Sequence, residues 1–262
     1  MERKGKPAAR FWGDTSASWR LPPRTLALKG DEIHVWRVMF DREVSHIQAL
    51  SAVLSEDEET RAARFRFDRD REAFIIAHGS LRKILAQYLG MSPGHIRFRY
   101  GTHEKPYLVP EINPDELFFN LTHTQRVALV AVTVGREIGL DVERIRSDFA
   151  SEEIAERYFS PREVGFLHTL PEKEQKEAFF VLWTRKEAYV KARGEGLSMP
   201  LDEVDVTPTP GVPILLLDDQ GRQNGNGPWS VRQLVPALGY VAAVATKGPM
   251  QTVRCWDWRS SG

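Results

Sequence analysis

Residues 179–192 read FFVLWTRKEAYVKA. The apolar side chains of this run recur at helical spacing and would form one buried stripe, composed of Phe179, Leu182, Trp183 and Val190. Glu187 and Lys191 lie four residues apart, one helical turn, along the border of that stripe. The run predicts a long amphipathic helix from Glu174 to Arg193, ended by Gly194. Two interpretations of Glu187 and Lys191 are open: an ordinary helix pair, or two charges at the rim of a site.

A short strand with two carboxylates is predicted upstream of this helix, over Ile138 to Glu143. Asp141 and Glu143 are separated by one residue, so both project from the same face of an extended chain. Neighbouring carboxylates repel each other, and their hard oxygen atoms suit Mg²⁺, which takes further ligands from water and substrate phosphate. The two acids are either solvated charges at a strand end or a cation site to which Glu187 adds a third carboxylate.

Basic and polar groups suited to phosphate binding occur elsewhere in the chain. The sequence NLTHT, residues 120–124, predicts a turn before the apolar strand Val127 to Val134. Such a turn offers backbone N–H groups and the His123 imidazole to a phosphate, and a structural turn histidine is the alternative. Further cations are Arg61, Arg64, Arg82 and Lys105, each of which is by default a solvated surface charge.

The composition indicates a folded protein and excludes several classes. Of the 262 residues, 42% are apolar, with seven Trp and thirteen Phe, which is enough to build a core. Lys plus Arg and Asp plus Glu both number 36, so no global field attracts nucleic acid or anionic membrane. The single Cys255 allows no intramolecular disulfide, and no signal peptide or membrane span is apparent. We expect a cytoplasmic protein.

The order of predicted elements is similar in the two halves of the chain. Strands and a long helix are predicted in each half, which favours an α+β fold. We expect a poorly ordered N-terminal tail over residues 1–30, an N-terminal subdomain over 31–134, a C-terminal subdomain over 135–248 and a C-terminal tail over 249–262. Among the later strands, one is predicted at Val204 to Val206.

Taken together, these segments resemble the 4′-phosphopantetheinyl transferases of the surfactin-synthetase-activator type. The strand GLDVE, residues 139–143, is similar to that family's Gly-Ile-Asp-Ile-Glu. The run WTRKEAYVKARGEGL, residues 183–197, is similar to its Trp-x-x-Lys-Glu-x-x-x-Lys-x-x-Gly-x-Gly-Leu helix. NLTHT is similar to its Asn-Leu-Ser-His-Ser turn, and Lys105-Pro106 to its Gly-Lys-Pro loop. The resemblance extends over residues 31–246.

This resemblance implies a fold and an activity. The fold would be two similar α/β subdomains related by a pseudo-twofold axis, with coenzyme A in the cleft between them. The enzyme would move the phosphopantetheine of coenzyme A to a serine of an acyl, peptidyl or aryl carrier protein of fatty acid, polyketide or nonribosomal peptide biosynthesis, releasing 3′,5′-ADP. By the same analogy it would be a monomer. A silent module that binds coenzyme A or carrier proteins, and a metal-dependent nucleotide hydrolase, are the alternatives.

The resemblance also assigns roles to residues. Mg²⁺ would be bound by Asp141, Glu143 and Glu187. The diphosphate would be contacted by Lys191 and by Thr122, His123 and Thr124, and the nucleotide end by Arg61, Arg64, Lys105 and Pro106. Glu187 would take the proton of the serine, directly or through a metal-bound water, while Lys191 and His123 stabilise the developing charge.

Some positions depart from the family pattern. Thr122 and Thr124 replace serines, which retains the hydroxyl groups and adds methyl groups. Glu104 replaces the glycine that the family has before Lys105, and Glu58 stands where a basic residue is usual. The departures remove no charge that catalysis needs, but we expect no phosphate contact from Glu58.

Overall fold

The computed structural model describes residues 18–40, 43–101, 103–146, 152–196, 199–206, 214–216 and 229–259. Its strands are β1 Glu32–Met39, β2 Phe98–Tyr100, β3 Pro106–Leu108, β4 Leu117–His123, β5 Val127–Val134, β6 Ile138–Arg144, β7 Ile214–Leu216, β8 Trp229–Leu234, β9 Tyr240–Lys247 and β10 Thr252–Asp257. Its α-helices are α1 Val44–Ser51, α2 Glu56–Ala63, α3 Asp68–Leu89, α4 Glu152–Tyr158, α5 Pro161–Thr169 and α6 Glu172–Arg193. The α+β fold class is therefore confirmed.

Two four-stranded sheets and two long helices organise the chain. The first sheet has the order β10-β1-β5-β4 and the second the order β6-β9-β8-β7. Helix α3 packs in a core cluster with the first sheet, and helix α6 in one with the second. Each of these helices has 22 residues. Each sheet is thus covered by one long helix.

The two sheets meet through an apolar layer. This layer is a core cluster that includes Ile33, Val35, Val127, Leu129 and Ala131 from the first sheet and Ile138, Leu140, Val142, Leu234, Ala242 and Val244 from the second. Strand β5 is buried along nearly its whole length, as expected for a strand with both faces covered. Because the halves share this layer, β4 and β6 lie next to each other, which sets the polar ends of both strands side by side.

The C-terminal segment joins the first sheet. Strand β10, within the segment 249–262 that the sequence predicted as a tail, pairs in parallel with β1. Arg20 forms an isolated bridge with Trp256, and the Trp19 indole donates to the carbonyl of Val235 at 2.9 Å. Residues 1–17 of the predicted N-terminal tail lie outside the described residues. No helix in the described ranges combines the length and apolar character needed to span a membrane.

The predicted strand at Val204 to Val206 is wrong. A short 3₁₀ helix, Leu201–Glu203, precedes this segment. The backbone groups of Val206 bind buried side chains instead of a neighbouring strand. Glu163 accepts from the Val206 N–H at 2.8 Å, and Arg185 donates to the Val206 carbonyl at 3.3 Å. Alternation of apolar residues cannot distinguish such a segment from a strand, because the same pattern of residue types occurs in both.

The contact between β6 and α6 depends on one glycine. A Cβ atom on Gly139 would lie 2.0 Å from the Ala188 carbonyl oxygen and 2.2 Å from the Ala192 nitrogen, both in the backbone of α6. Only a residue without a side chain allows the strand and the helix to approach so closely. This approach brings the turn of α6 that carries Glu187 and Lys191 against the carboxylates of β6.

Candidate active site

Asp141 on β6 forms the centre of a polar cluster. The residue is 5% exposed, and its Oδ1 accepts from the Lys191 ammonium at 2.5 Å and from the Thr122 hydroxyl at 3.4 Å. Its Oδ2 is buried and accepts no hydrogen bond from any described residue. A buried carboxylate oxygen without a partner is costly, so this position calls for a donor or a cation.

The three carboxylates that the sequence singled out share one electrostatic environment. Burial, followed by the charge of Asp141, raises the pKa of Glu143 to about 7. Burial also raises the pKa of Glu187, with Asp141 adding to the shift and Lys191 opposing it. Burial disfavours the Lys191 charge, yet its pKa is raised because Asp141, Glu187 and Glu143 are all close to it. The fold therefore brings together the acids of β6 and the acid and ammonium of α6.

The cluster carries excess negative charge. Three carboxyl groups face one ammonium, and the charge of the exposed Arg146 offsets the rise in the pKa of Glu143 only in part. In the described part of the chain, no group of three or more His, Cys, Asp or Glu side chains is arranged so that it could hold a metal ion. An incomplete set of oxygen ligands still fits Mg²⁺, which characteristically uses one or two carboxylates together with substrate phosphates. The unpartnered Asp141 Oδ2 is the clearest sign of this fit.

His123 lies at the end of β4, beside the cluster. Its Nδ1 is 3.4 Å from the Thr124 carbonyl oxygen, and its ring lies 6.5 Å from that of Phe40. Partial burial lowers the pKa of the imidazole; the Thr124 contact opposes this shift, and the charges of His78, Lys191 and Arg61 reinforce it. A group surrounded by cations is well placed to meet an anion.

Arg61 and Arg64 line a pocket formed by α2, α3, β2 and the loop before β3. The pocket has a volume of about 580 Å³, and its walls are Asp57, Glu58, Thr60, Arg61, Arg64, Phe74, His78, Tyr100 and Glu104. The sequence predicted the two arginines but missed Phe74, His78 and Tyr100. The spacing of Phe74 and His78, four residues apart on one helix, was the available signal, and their rings stack 3.9 Å apart.

Glu58 is neutralised by neighbours in the wall of this pocket. The Arg82 guanidinium donates to its carboxylate at 2.5 Å, and His78 Nδ1 lies 3.3 Å from it. Burial opposes ionisation, yet hydrogen bonds from His78 and the Ser55 backbone, with the charge of Arg82, lower the pKa of Glu58 to about 2. Arg82 is itself buried and also donates to the Ile96 carbonyl at 2.8 Å, so it supports the wall.

Comparison with known proteins supplies the decisive observation. A model described as the 4′-phosphopantetheinyl transferase superfamily matches residues 137–245, and one described as the N-terminal part of 4′-phosphopantetheinyl transferase matches residues 39–135. The 4′-phosphopantetheinyl transferase HetI of Nostoc sp. is 41% identical over 241 residues, which are 92% of this chain and 98% of HetI. The chain belongs to the 4′-phosphopantetheinyl transferase superfamily.

Two further members of this superfamily are more distant. The 4′-phosphopantetheinyl transferase Sfp of Bacillus subtilis is 29% identical over 174 residues, covering 66% of this chain and 75% of Sfp. The L-aminoadipate-semialdehyde dehydrogenase-phosphopantetheinyl transferase of Mus musculus is 28% identical over 167 residues, covering 59% of this chain and 53% of that protein. The relationship is thus detectable across bacteria and a mammal.

In this superfamily member, Lys105 is bound to protein groups. Its ammonium donates to Glu137 Oε2 at 2.7 Å, the Ile138 carbonyl at 3.2 Å and the Ala192 carbonyl at 2.9 Å, and the residue is 8% exposed. All three N–H donors are therefore used, and Lys105 does not line the pocket of Arg61 and Arg64. Because Ala192 lies in the last turn of α6, Lys105 joins the loop before β3 to the end of that helix.

The neighbours of Lys105 explain part of the loop's shape. Pro106 begins β3 and pairs with Tyr100, which lines the arginine pocket. Glu104 has a φ angle of 58°, in the left-handed region that glycine adopts most readily. The family's glycine at this position thus suits the backbone better than the glutamate of this chain. A nucleotide contact by Lys105 or Pro106 stays a prediction.

We expect Lys105→Met to destabilise the protein by about 2 kcal/mol or more, because two buried carbonyls and the Glu137 carboxylate lose their shared donor. The measurement is the free energy of unfolding in urea. Lys173→Met, at an exposed position in the first turn of α6, is the matched control and should change stability little. Equal stability of the Lys105 variant and the wild type would contradict the conclusion that Lys105 holds the loop before β3 against the end of α6.

Proposed function

We propose that this protein transfers the 4′-phosphopantetheine group of coenzyme A to a serine hydroxyl of a carrier protein in a Mg²⁺-dependent reaction. The observation that carries the proposal is Asp141, whose buried and unpartnered Oδ2 lies in a carboxylate cluster between two halves that both match the superfamily. An arginine-lined pocket and the exposed imidazole of His123 lie near this cluster. Together they supply sites for a cation, a diphosphate and a nucleotide.

The arginine pocket supports binding of the nucleotide end of coenzyme A. Its volume of about 580 Å³ falls in the range of small-molecule sites. Arg61 and Arg64 suit the 3′-phosphate, because guanidinium groups bind phosphate oxygens in pairs. Since Glu58 is already neutralised by Arg82 and His78, it does not cancel the charge of these two arginines. Lys105 and Pro106 would shape the same end of the site.

We propose that Asp141, Glu143 and Glu187 hold the Mg²⁺ ion. The raised pKa values of Glu143 and Glu187 reflect carboxylates that burial and mutual repulsion disfavour, and a divalent cation would relieve both effects. When bound, Mg²⁺ would neutralise negative charge on the diphosphate. Mg²⁺ characteristically keeps coordination positions for substrate phosphate oxygens and water.

The residues around the diphosphate would carry the chemistry. The serine oxygen attacks the phosphorus that bears the pantetheine arm, and the bond from that phosphorus to the bridging oxygen breaks, so that 3′,5′-ADP leaves. Lys191 and His123, with the hydroxyl groups of Thr122 and Thr124, stabilise the charge that develops on the leaving oxygen. The proton of the serine passes to the Glu187 carboxylate, which acts as the general base.

We also propose the organisation and setting of the enzyme. The sheet-and-helix pair in each half supports two subdomains, over residues 31–134 and 135–248, with the site between them. The balance of 36 basic and 36 acidic residues leaves no global field to attract nucleic acid or anionic membrane, and we propose that the enzyme acts in the cytoplasm without such partners. Acyl, peptidyl and aryl carrier domains are the acceptors, and the working unit is a monomer.

The test is to incubate the protein with coenzyme A, MgCl₂ and an apo carrier protein and to record the intact mass of the carrier. We expect an increase of one phosphopantetheinyl group and stoichiometric 3′,5′-ADP, and neither product when EDTA removes the metal. A carrier with its acceptor serine changed to alanine is the control. Release of 3′,5′-ADP without a carrier would indicate a hydrolase, and coenzyme A binding without any adduct would indicate a silent binding module.

A further inference from the structure

The hairpin of β2 and β3 packs against the C-terminal end of α6. A Cβ atom on Gly194, which has a φ angle of 68°, would lie 3.2 Å from the Tyr107 hydroxyl oxygen and 3.4 Å from Lys105 Cδ. A Cβ atom on Gly196, which has a φ angle of 60°, would lie 3.2 Å from the His103 ring. The two glycines therefore allow both the left-handed backbone after the helix and a close fit against the hairpin.

Lys105 extends from this hairpin to the two elements that carry the carboxylate cluster. Its ammonium donates to the carbonyl of Ile138, the first residue of β6, at 3.2 Å and to the carbonyl of Ala192, in the last turn of α6, at 2.9 Å. It also forms an ion pair at 2.7 Å with Glu137, which directly precedes β6. One side chain from the N-terminal half thus binds the start of β6 and the end of α6 together.

The same junction is where β6 and α6 approach each other most closely. The position of a Cβ atom on Gly139 lies 2.2 Å from the Ala192 nitrogen, so the strand packs against the residue whose carbonyl Lys105 binds. Lys191, which directly precedes Ala192, donates to Asp141 on β6 at 2.5 Å. A shift of the helix end relative to the strand would therefore change the geometry of the carboxylate cluster.

The buried ammonium of Lys105 lies where a positive charge is favourable. The residue is 8% exposed, and lysine is rarely buried to this degree unless it is paired. Burial lowers the pKa of Lys105, and the Glu137 carboxylate opposes this shift. The carbonyl groups in the last turn of a helix lack partners within the helix, and a cation there complements the helix dipole. The ammonium therefore has a well-defined position at the end of α6.

The arginine pocket does not depend on this ammonium. Tyr100 and Glu104 of the hairpin line the pocket, whereas Lys105 is not among its walls. The loop is closed by backbone bonds, because the Gly101 N–H donates to the Lys105 carbonyl at 3.0 Å and the Glu104 N–H donates to the Gly101 carbonyl at 3.1 Å. Loss of the ammonium should therefore release the end of α6 and leave the walls of the pocket in place.

We propose that Lys105 is a positioning residue of the transfer reaction, which holds β6 against the end of α6 and so sets the separation of the Asp141 and Glu187 carboxylates. This inference rests on the proposed function, because it assumes that these two acids share a metal ion. It differs from the role that the family resemblance implies, in which Lys105 contacts the nucleotide end of coenzyme A. A positioning lysine affects metal binding and the chemical step, whereas a lysine that binds the nucleotide affects nucleotide affinity.

The test compares two dissociation constants and the kinetics of Lys105→Met with those of the wild type. The Kd for 3′,5′-ADP, titrated calorimetrically without metal, should stay within about twofold, because the pocket keeps its walls. The Kd for Mg²⁺ in the presence of coenzyme A should rise about tenfold or more, because Mg²⁺ demands near-ideal geometry from its ligands. With an apo carrier, kcat should fall about 10- to 100-fold, the cost of a small misplacement, with little change in the KM for coenzyme A.

Two further variants keep the result interpretable. Lys173→Met, at an exposed position in the first turn of α6, is the matched control and should leave all four quantities unchanged. Glu137→Gln removes the ion pair but leaves the two carbonyl contacts of Lys105, so it is the milder variant if Lys105→Met does not fold. We expect Glu137→Gln to raise the Kd for Mg²⁺ and to lower kcat by about threefold each, with unchanged affinity for 3′,5′-ADP.

The outcomes separate this inference from the proposed function. If the wild type modifies no apo carrier, the proposed function fails, while the two dissociation constants still test the role of Lys105. If Lys105→Met is folded and keeps the wild-type affinity for Mg²⁺, the positioning role is wrong; for an unfolded Lys105→Met, the same result with Glu137→Gln decides. Binding of 3′,5′-ADP that is weakened about tenfold, alone or together with Mg²⁺ binding, would show that Lys105 serves the nucleotide pocket and would also overturn the inference.

Discussion

Asp141→Asn is expected to lower kcat for phosphopantetheinyl transfer by about 100- to 1000-fold, the usual cost of removing one group that stabilises the transition state. The amide keeps the shape of the side chain but carries no charge. It therefore loses the ion pair with Lys191 and the buried Oδ2 that we propose as a ligand of Mg²⁺. The measurement is turnover at saturating coenzyme A, carrier and Mg²⁺.

The control for this variant is Asp115→Asn, at an exposed acid far from β6 in the chain. It should keep turnover within about twofold, because surface substitutions of this kind are nearly neutral. The unfolding curve of Asp141→Asn should remain close to that of the wild type, since the loss of one ion pair is offset by reduced repulsion among the carboxylates. Wild-type turnover in Asp141→Asn would refute the proposed site.

Gly139→Ala is expected to destabilise the protein by about 3 kcal/mol or more, at the upper end of the cost of overpacking. The new Cβ would lie 2.0 Å from the Ala188 carbonyl oxygen and 2.2 Å from the Ala192 nitrogen, and neither backbone atom can move alone. Helix α6 must shift away from β6, which moves Glu187 and Lys191 relative to Asp141. We therefore expect reduced turnover in whatever fraction remains folded.

Gly165→Ala is the matched control. Gly165 lies inside helix α5, is exposed, and has no atom within 4 Å of the position of a new Cβ. An alanine there should stabilise the protein by about 0.5–1 kcal/mol, because glycine is a poor helix former. The measurements are the free energy of unfolding in urea and the turnover of both variants. If Gly139→Ala is as stable and as active as the wild type, the close packing of β6 on α6 does not position the site.

The helix and strand that carry the candidate site were predictable from local pattern. The apolar stripe of residues 179–192 predicted α6, whose last residue is Arg193, with Gly194 in the left-handed conformation after it. Alternation predicted β6 and set Asp141 and Glu143 on one face. These two elements can pack closely because position 139 is glycine. The sequence pattern does not reveal this role, because it depends on contact with Ala188 and Ala192, which lie 49 and 53 residues further along the chain.

Long-range pairings were not predictable in the same way. Residues 249–262 were expected as a tail, whereas β10 completes the first sheet against β1, more than 200 residues earlier. A six-residue strand carries little information about its partner, since its pairing is set by the shape of the finished sheet. The partners of buried charges pose the same problem: Lys105 was predicted at the nucleotide, yet its ammonium binds Glu137 and two carbonyls.

The central claim is that the acids of β6 and the acid of α6 share one divalent cation in the presence of a diphosphate. Calorimetric titration of Mg²⁺ into the protein with coenzyme A and no carrier measures this without turnover. The account predicts one ion per chain, bound at least about tenfold more weakly by Asp141→Asn and by Glu187→Gln, and unaffected by Asp115→Asn. Unchanged stoichiometry and affinity in both site variants would contradict it.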